Sequence, residues 1–133
     1  MSNRKVKPDN LGAAVVEILT DYIDTVVTDT KSAVEATGKM AAETAQAYAA
    51  GIGRGKYAKS IKAKTTASNT FGTTVTVYST QYRIAHLLEH GHAKVTKSGK
   101  ALGTTRAFPH FAPAESRAEA LMVKKIEQAI KGA

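Results

Sequence analysis

Residues 9–50 read DNLGAAVVEILTDYIDTVVTDTKSAVEATGKMAAETAQAYAA, and this stretch constrains the fold more than any other part of the chain. The apolar residues that recur in it at steps of three and four are Leu11, Val15, Ile18, Tyr22 and Val26. This spacing predicts an amphipathic helix, with Gly38 as a candidate break. An unbroken helix would be about 63 Å long, which exceeds the diameter of a domain of this size. We therefore expect either a chain reversal at Gly38 or a projecting helix that a neighbouring subunit covers.

The flanking residues indicate where this helix begins and ends. Asp9, which follows Pro8, is the predicted N-cap, because its carboxylate can accept a hydrogen bond from the first helical amides. Gly51 is the predicted stop. Residues 1–8 are expected to form a flexible basic N-terminus, and residues 9–133 a single domain.

Two later stretches predict a β-hairpin. Residues 57–66 and 71–79 alternate between apolar and polar side chains, as half-exposed strands do. The polar residues 67–70 between them predict a turn, so we expect the two strands to pair antiparallel.

The rest of the chain predicts two helices on either side of a basic segment. Residues 82–90 return to helical spacing and end at Gly91, and residues 114–131 have the spacing of a terminal helix. The segment 94–106 fits either a long hairpin or a partly disordered loop. These elements predict an α+β fold with a long N-terminal helix, a small antiparallel sheet, a short helix, a basic loop and a C-terminal helix.

The composition excludes several chemistries. The chain has 133 residues and no cysteine, which rules out disulfides, cysteine-ligated zinc, iron–sulfur clusters and thiol catalysis. Hydrophobic residues make up 43% but aromatic residues only 6%, which predicts a core of Ala, Val, Ile and Leu. The first seven residues are polar and basic, so we expect no signal peptide. No stretch approaches the ~18 consecutive apolar residues of a membrane span.

Charge is distributed unevenly along the chain, whose net charge is +8. Residues 9–50 sum to −5 and residues 51–110 sum to +9, with Glu89 as the only acid in the second stretch. Segregated charge of this kind favours head-to-tail contact between copies as readily as contact with nucleic acid.

The residues His86, Glu89 and His90 form an H-x-x-E-H pattern, which binds zinc in one class of peptidase. A zinc enzyme would need a third ligand and a substrate cleft, whereas a buried helix face explains the same stretch without either. We expect no metal, no cofactor and no catalytic residue here. Glu89 is expected to form a structural ion pair or to cap a helix.

Eight basic residues form a candidate contact surface for DNA or for a protein partner. They are Arg54, Lys56, Lys59, Lys62, Lys64, Lys94, Lys97 and Lys100. Contact with phosphates would be independent of sequence and sensitive to salt. The alternative interpretation is a solvated strand face beside a lysine-rich loop, and the glycines of residues 51–55 are interpreted as a flexible connector, not a phosphate loop.

Three motifs resemble those of a known phage family. They are the basic lead into a strand at residues 55–61 (GKYAKSI), the helix end at residues 82–91 (YRIAHLLEHG) and the entry to the last helix at residues 108–115 (FPHFAPAE). Together they resemble the tail-component family typified by the gene-product-ten protein of phage HK-ninety-seven, over roughly residues 10–130. His90 departs from the pattern, because an aromatic residue is common there, and the loop at 94–105 is unusually basic and long.

The resemblance implies a structural protein of the virion without enzymatic activity. It implies a head–tail neck or tail-completion component, assembled in the host cytoplasm into a ring between the portal side and the tail. The implied partners are other copies of the chain, the portal-side connector or stopper, and the tail terminator or tail tube, with no membrane partner. The residues expected to define the fold and its assembly are Leu88, Glu89, Gly91, Pro109 and Pro113.

Overall fold

The first element of the fold is one long helix. The computed structural model describes residue 5 and residues 7–69 and 72–132, so most of the predicted N-terminus 1–8 lies outside the described residues. A 3₁₀ turn at Pro8–Asn10 leads into helix α1, Leu11–Ala49. The predicted N-cap at Asp9 is wrong, because Asp9 lies within the turn and Asn10 occupies the cap position without a side-chain capping bond.

Helix α1 continues through Gly38 without a break. Its 39 residues make it about 58 Å long. A Cβ atom at Gly38 would overlap Val75 Cγ1 and lie 2.9 Å from Val75 Cβ. The glycine therefore permits the close approach of a strand to the helix, and it does not turn the chain.

A short helix and a hairpin follow α1. Helix α2 is Lys56–Lys59, strand β1 is Ile61–Asn69 and strand β2 is Gly72–Ser79. The strands pair antiparallel, from Ile61 opposite Ser79 to Asn69 opposite Gly72, with an irregularity after Thr65. The antiparallel hairpin is confirmed.

Two details of the predicted hairpin are wrong. The strand does not begin at Tyr57, because Tyr57 and Ala58 are adjacent and both buried, which a helical turn permits and a half-exposed strand does not. The turn does not include residues 67–69, which pair with β2. Thr70 and Phe71, at the end of the predicted turn and the start of the predicted second strand, lie outside the described residues.

The second half of the chain adds a helix, a second hairpin and a final helix. They are α3 (Tyr82–His90), β3 (Ala93–Val95), β4 (Ala101–Thr104) and α4 (Phe111–Gly132). Strands β3 and β4 pair antiparallel, so the basic segment forms a hairpin. Helix α4 begins three residues before its predicted start. The elements in this order confirm the α+β class.

The core is built mainly from alanine. Its buried members are Ala42, Ala45, Ala49, Tyr57, Ala58, Ile61 and Ala114. These small side chains let the second half of α1 pack closely against α2, the first hairpin and the start of α4. The sequence predicted a core of Ala, Val, Ile and Leu. Alanine predominates in the observed core, and most of the larger aliphatic residues of α1 lie outside it.

The first half of α1 keeps most of its large apolar side chains exposed. Its large exposed side chains are Leu11, Val15, Val16, Leu19, Tyr22 and Ile23, of which Val16 is 64% exposed. Helix α4 packs along α1, but its 22 residues extend only about 33 Å. The helix therefore projects beyond the part of the fold that covers it.

Candidate functional site

Glu89 binds the start of helix α4 from the last turn of helix α3. Its Oε2 accepts hydrogen bonds from the backbone N–H groups of His110 (2.7 Å) and Phe111 (3.1 Å). Its Oε1 accepts one from the N–H of Ala112 (2.8 Å). The first amides of a helix have no partner within the helix, and a negative charge there is favourable. Glu89 therefore joins α3 to α4 as a cap supplied from a distant part of the chain.

The surroundings of Glu89 favour its ionised form. Burial alone would raise the pKa of this carboxyl, which is only 8% exposed. The backbone N–H groups of residues 110–112 outweigh burial and, together with the nearby His110 ring, lower the pKa below its ordinary value. The carboxylate is thus charged where it holds the helix.

His110 continues the polar contacts into the interior. The side chain is fully buried, and its Nδ1 lies 2.7 Å from the Phe108 carbonyl oxygen and 3.0 Å from Glu89 Oε2. Both neighbours are acceptors, so Nδ1 carries a hydrogen. Nε2 lies 2.8 Å from the Tyr57 hydroxyl, which donates to it in that tautomer.

Tyr57 connects this pair to the first hairpin. Burial raises the pKa of its hydroxyl; a hydrogen bond with Ser79 opposes the rise, and the charge of Glu89 adds to it. Ser79 Oγ lies 2.7 Å from Ser60 Oγ and accepts the N–H of Gln81 at 3.0 Å. A continuous polar chain thus runs from the hairpin through Tyr57 and His110 to Glu89.

The side chains that form this polar chain lie in the interior of the fold. The side chains of Tyr57, Ser60, Ser79, Glu89 and His110 are all buried. Buried polar groups that are fully paired fix the relative positions of the elements that carry them. Here they link α2, the first hairpin, α3 and α4.

The H-x-x-E-H residues do not converge on one point. His86 and His90 are exposed, whereas Glu89 is buried with both oxygens bonded to α4. Among the described residues, no group of three His, Asp or Glu side chains could hold a metal ion.

The other residues expected to define the fold lie near the contact between α3 and α4. The Leu88 side chain packs against the core, and its carbonyl accepts the N–H of Phe108 at 2.7 Å. Gly91 has φ +75°, and a Cβ there would lie 2.7 Å from the Thr105 carbonyl oxygen. Pro109 precedes the buried His110, and Pro113 is the third residue of α4, where a missing N–H leaves no bond unmade.

The eight basic residues fall on two separate parts of the fold. Arg54, Lys56, Lys59, Lys62 and Lys64 lie on the connector, α2 and β1, whereas Lys94, Lys97 and Lys100 lie on the second hairpin. Lys62 and Lys64 line a groove that also contains Glu35 and Glu43 of α1. Acidic side chains of the same chain therefore offset part of the first basic group.

Sequence reasoning missed Tyr57, Ser60, Ser79 and His110 as a buried set. Tyr57 and His110 are 53 positions apart, and no periodic pattern joins them. The only local signal is the Phe-Pro-His-Phe stretch at residues 108–111, where rings flank a histidine.

A comparison with protein families shows which family the sequence is similar to. The family model described as "Bacteriophage HK97-gp10, putative tail-component" matches residues 10–91, more than half of the chain. The match covers α1 to α3 and ends at Gly91, so it is shorter than the expected 10–130 and leaves out the second hairpin and α4. No curated protein and no solved structure matches the chain. Within the described residues, no helix is both long and apolar enough to cross a membrane.

Proposed function

The chain belongs to the HK97-gp10-like family of phage tail components, and from that membership we propose that it is a neck or tail-completion protein. Its role in the virion is structural. We propose that copies of the chain form a ring at the head–tail interface, after assembly in the host cytoplasm. In this position the ring contacts the portal-side connector or stopper on one face and the tail terminator or tail tube on the other.

The family match carries this proposal, and the projecting half of α1 supports it. Soluble proteins rarely leave a contiguous apolar surface uncovered unless it serves an interaction. The exposed side chains from Leu11 to Ile23 form such a surface on the part of α1 that projects beyond α4 in the described residues. A neighbour in an assembly would cover it.

The segregation of charge supports contact between copies. The acidic stretch 9–50 forms α1, and the basic stretch 51–110 contains both hairpins. When two different surfaces of one chain are complementary, copies associate head to tail, and they form a ring if the rotation closes.

Removal of the gene from the phage that encodes the chain tests this function. We expect electron microscopy of the lysate to show filled heads and separate tails instead of joined particles. Joined, infectious particles made without the protein would contradict the proposal.

A complementation series tests the role of α1 in the same phage. Leu19→Asp with Ile23→Asp places charges on the exposed apolar surface, and we expect it not to restore joined particles. Thr28→Asp is the matched control, because Thr28 is also exposed on α1 but is polar, and it is expected to complement. Circular dichroism of the purified variants checks that both remain folded.

A further inference from the structure

The second hairpin stands away from the rest of the fold. All residues of β3 and β4 are exposed, and the two strands contact chiefly each other. Val95 on β3 is 62% exposed, and Leu102 on β4 is 61% exposed. Lys94 lies on β3, and Lys97 and Lys100 lie in the turn. The hairpin therefore combines aliphatic side chains with a strong positive charge and buries neither within its own chain.

A groove elsewhere on the molecule has the opposite character. It lies between α1, β2 and α4 and has a volume of about 600 Å³. Its apolar lining includes Val34, Val77 and Met122, and its acidic residues are Glu115 and Glu119 on α4. Both glutamates are exposed. The groove can thus accept aliphatic side chains and attract lysines.

Thr37 and the edge of β2 give this groove unused hydrogen-bonding capacity. Thr37 lines the groove and is 1% exposed, yet its Oγ1 has no hydrogen-bond partner in the part of the chain that the structure describes. A buried hydroxyl without a partner is unfavourable. Within the same residues, β2 pairs only with β1. Its other edge is open to an added strand.

We propose that the β3–β4 hairpin of one copy docks into the α1–β2–α4 groove of a second copy. Val95 and Leu102 enter the apolar part of the groove, and the three lysines face Glu115 and Glu119. The partner is a second copy because one chain carries both complementary surfaces. This inference rests on the proposed ring, and it names the contact that builds the ring. Because hairpin and groove are different surfaces, each copy can bind one neighbour on either side.

A cysteine pair tests the contact directly, because the chain has no cysteine of its own. Leu102→Cys with Met122→Cys is introduced into phage particles by complementation and oxidised mildly. We expect a ladder of disulfide-linked multimers on a non-reducing gel. Leu102→Cys with Thr76→Cys is the matched control, because Thr76 is exposed on β2 but does not line the groove, and it is expected to give no ladder.

Charge exchange tests the same contact through the yield of that ladder. We expect Lys97→Glu with Lys100→Glu, or Glu115→Lys with Glu119→Lys, to reduce the yield about tenfold, because like charges then meet. Combining both exchanges in one chain restores the attraction and is expected to recover the yield. Lys124→Glu with Lys131→Glu makes the same change in net charge at exposed positions of α4 that do not line the groove, and it serves as the control.

The outcomes separate this inference from the proposed function. Particles that hold the protein at normal amount but yield no multimers from the Leu102–Met122 pair would overturn the docking contact and leave the structural role intact. Equal loss from the Lys124–Lys131 control would also overturn it. If wild-type particles do not contain the protein, the proposed function and the docking contact fail together.

Discussion

Glu89 joins two helices through the backbone amides of residues 110–112. It is the only acid in a stretch with ten basic residues, yet it accepts hydrogen bonds from three backbone N–H groups. The sequence predicts a helix end at Gly91 and an ion-pairing or capping role for Glu89, but it does not predict which groups Glu89 contacts. The amides that it caps lie more than twenty residues further along the chain, and no local pattern predicts them.

Substitution of Glu89 by alanine is expected to destabilise the fold. Glu89→Ala leaves the amides at the start of α4 without an acceptor, which we expect to cost about 2 kcal/mol of unfolding free energy. Urea denaturation followed by circular dichroism measures the loss. Glu127→Ala is the control, because Glu127 is exposed on α4, and it is expected to change stability by less than about 0.5 kcal/mol. Equal stabilities of the two variants would contradict the capping role.

The lowered pKa of Glu89 predicts how stability depends on pH. Its ordinary pKa is 4.5, and the folded state lowers it, so the unfolded state binds the proton more readily. The stabilisation is therefore complete above about pH 4.5 and is lost as the pH falls through the folded-state pKa. We expect Glu89→Gln to lose less stability than the wild type between pH 6 and pH 3, measured by urea denaturation. Parallel curves for the two proteins would contradict this.

At the scale of elements, the contact between α1 and β2 depends on Gly38. A methyl group at this position would overlap Val75, and both residues belong to regular elements that cannot shift freely. Gly→Ala normally stabilises a helix interior, so the sign of its effect distinguishes a packing position from an open one.

Two glycine substitutions in α1 are therefore expected to act in opposite directions. Gly38→Ala forces Val75 away and is expected to destabilise the fold by about 1–3 kcal/mol. A Cβ atom at Gly12 would have no neighbour within 4 Å. Gly12→Ala is therefore expected to stabilise the fold by about 0.5 kcal/mol. Thermal denaturation of the two variants measures both effects. A stabilising Gly38→Ala would show that β2 does not approach α1 closely.

Sequence patterns predicted those elements whose signals are local. The alternation of Val75 and Val77 and the helical spacing up to Gly91 correspond to β2 and α3 as the structure has them. The patterns left open whether α1 is broken at Gly38, and they were wrong at Tyr57, because distant contacts determine the structure at both positions. Gly38 packs against a strand side chain 37 positions away, and Tyr57 forms a hydrogen bond with His110. Neither contact has a local sequence signature.

The whole molecule consists of a packed core region and two projecting parts. The first half of α1 and the β3–β4 hairpin both expose aliphatic side chains, and neither contributes to the alanine core. Such extensions contribute little to the stability of one chain and offer surface for neighbours. Because the core does not depend on them, the fold can be stable while these parts remain exposed for contacts with neighbours.

Shortening the second hairpin is expected to separate stability from assembly. Replacing residues 94–103 by a short Gly-Ser linker removes no core residue, so we expect the melting temperature to change by less than about 3 °C. We expect the same variant to fail in complementation of joined particles. A large fall in melting temperature would show that the hairpin supports the fold itself.

The central claim, that the chain is a structural part of the virion, is tested most directly by quantitative mass spectrometry of purified, nuclease-treated particles. We expect a fixed, low copy number per particle, as one ring requires, and we expect the protein to remain after nuclease and salt washes. Particles of normal composition that lack the protein, from a lysate that contains it, would contradict the claim.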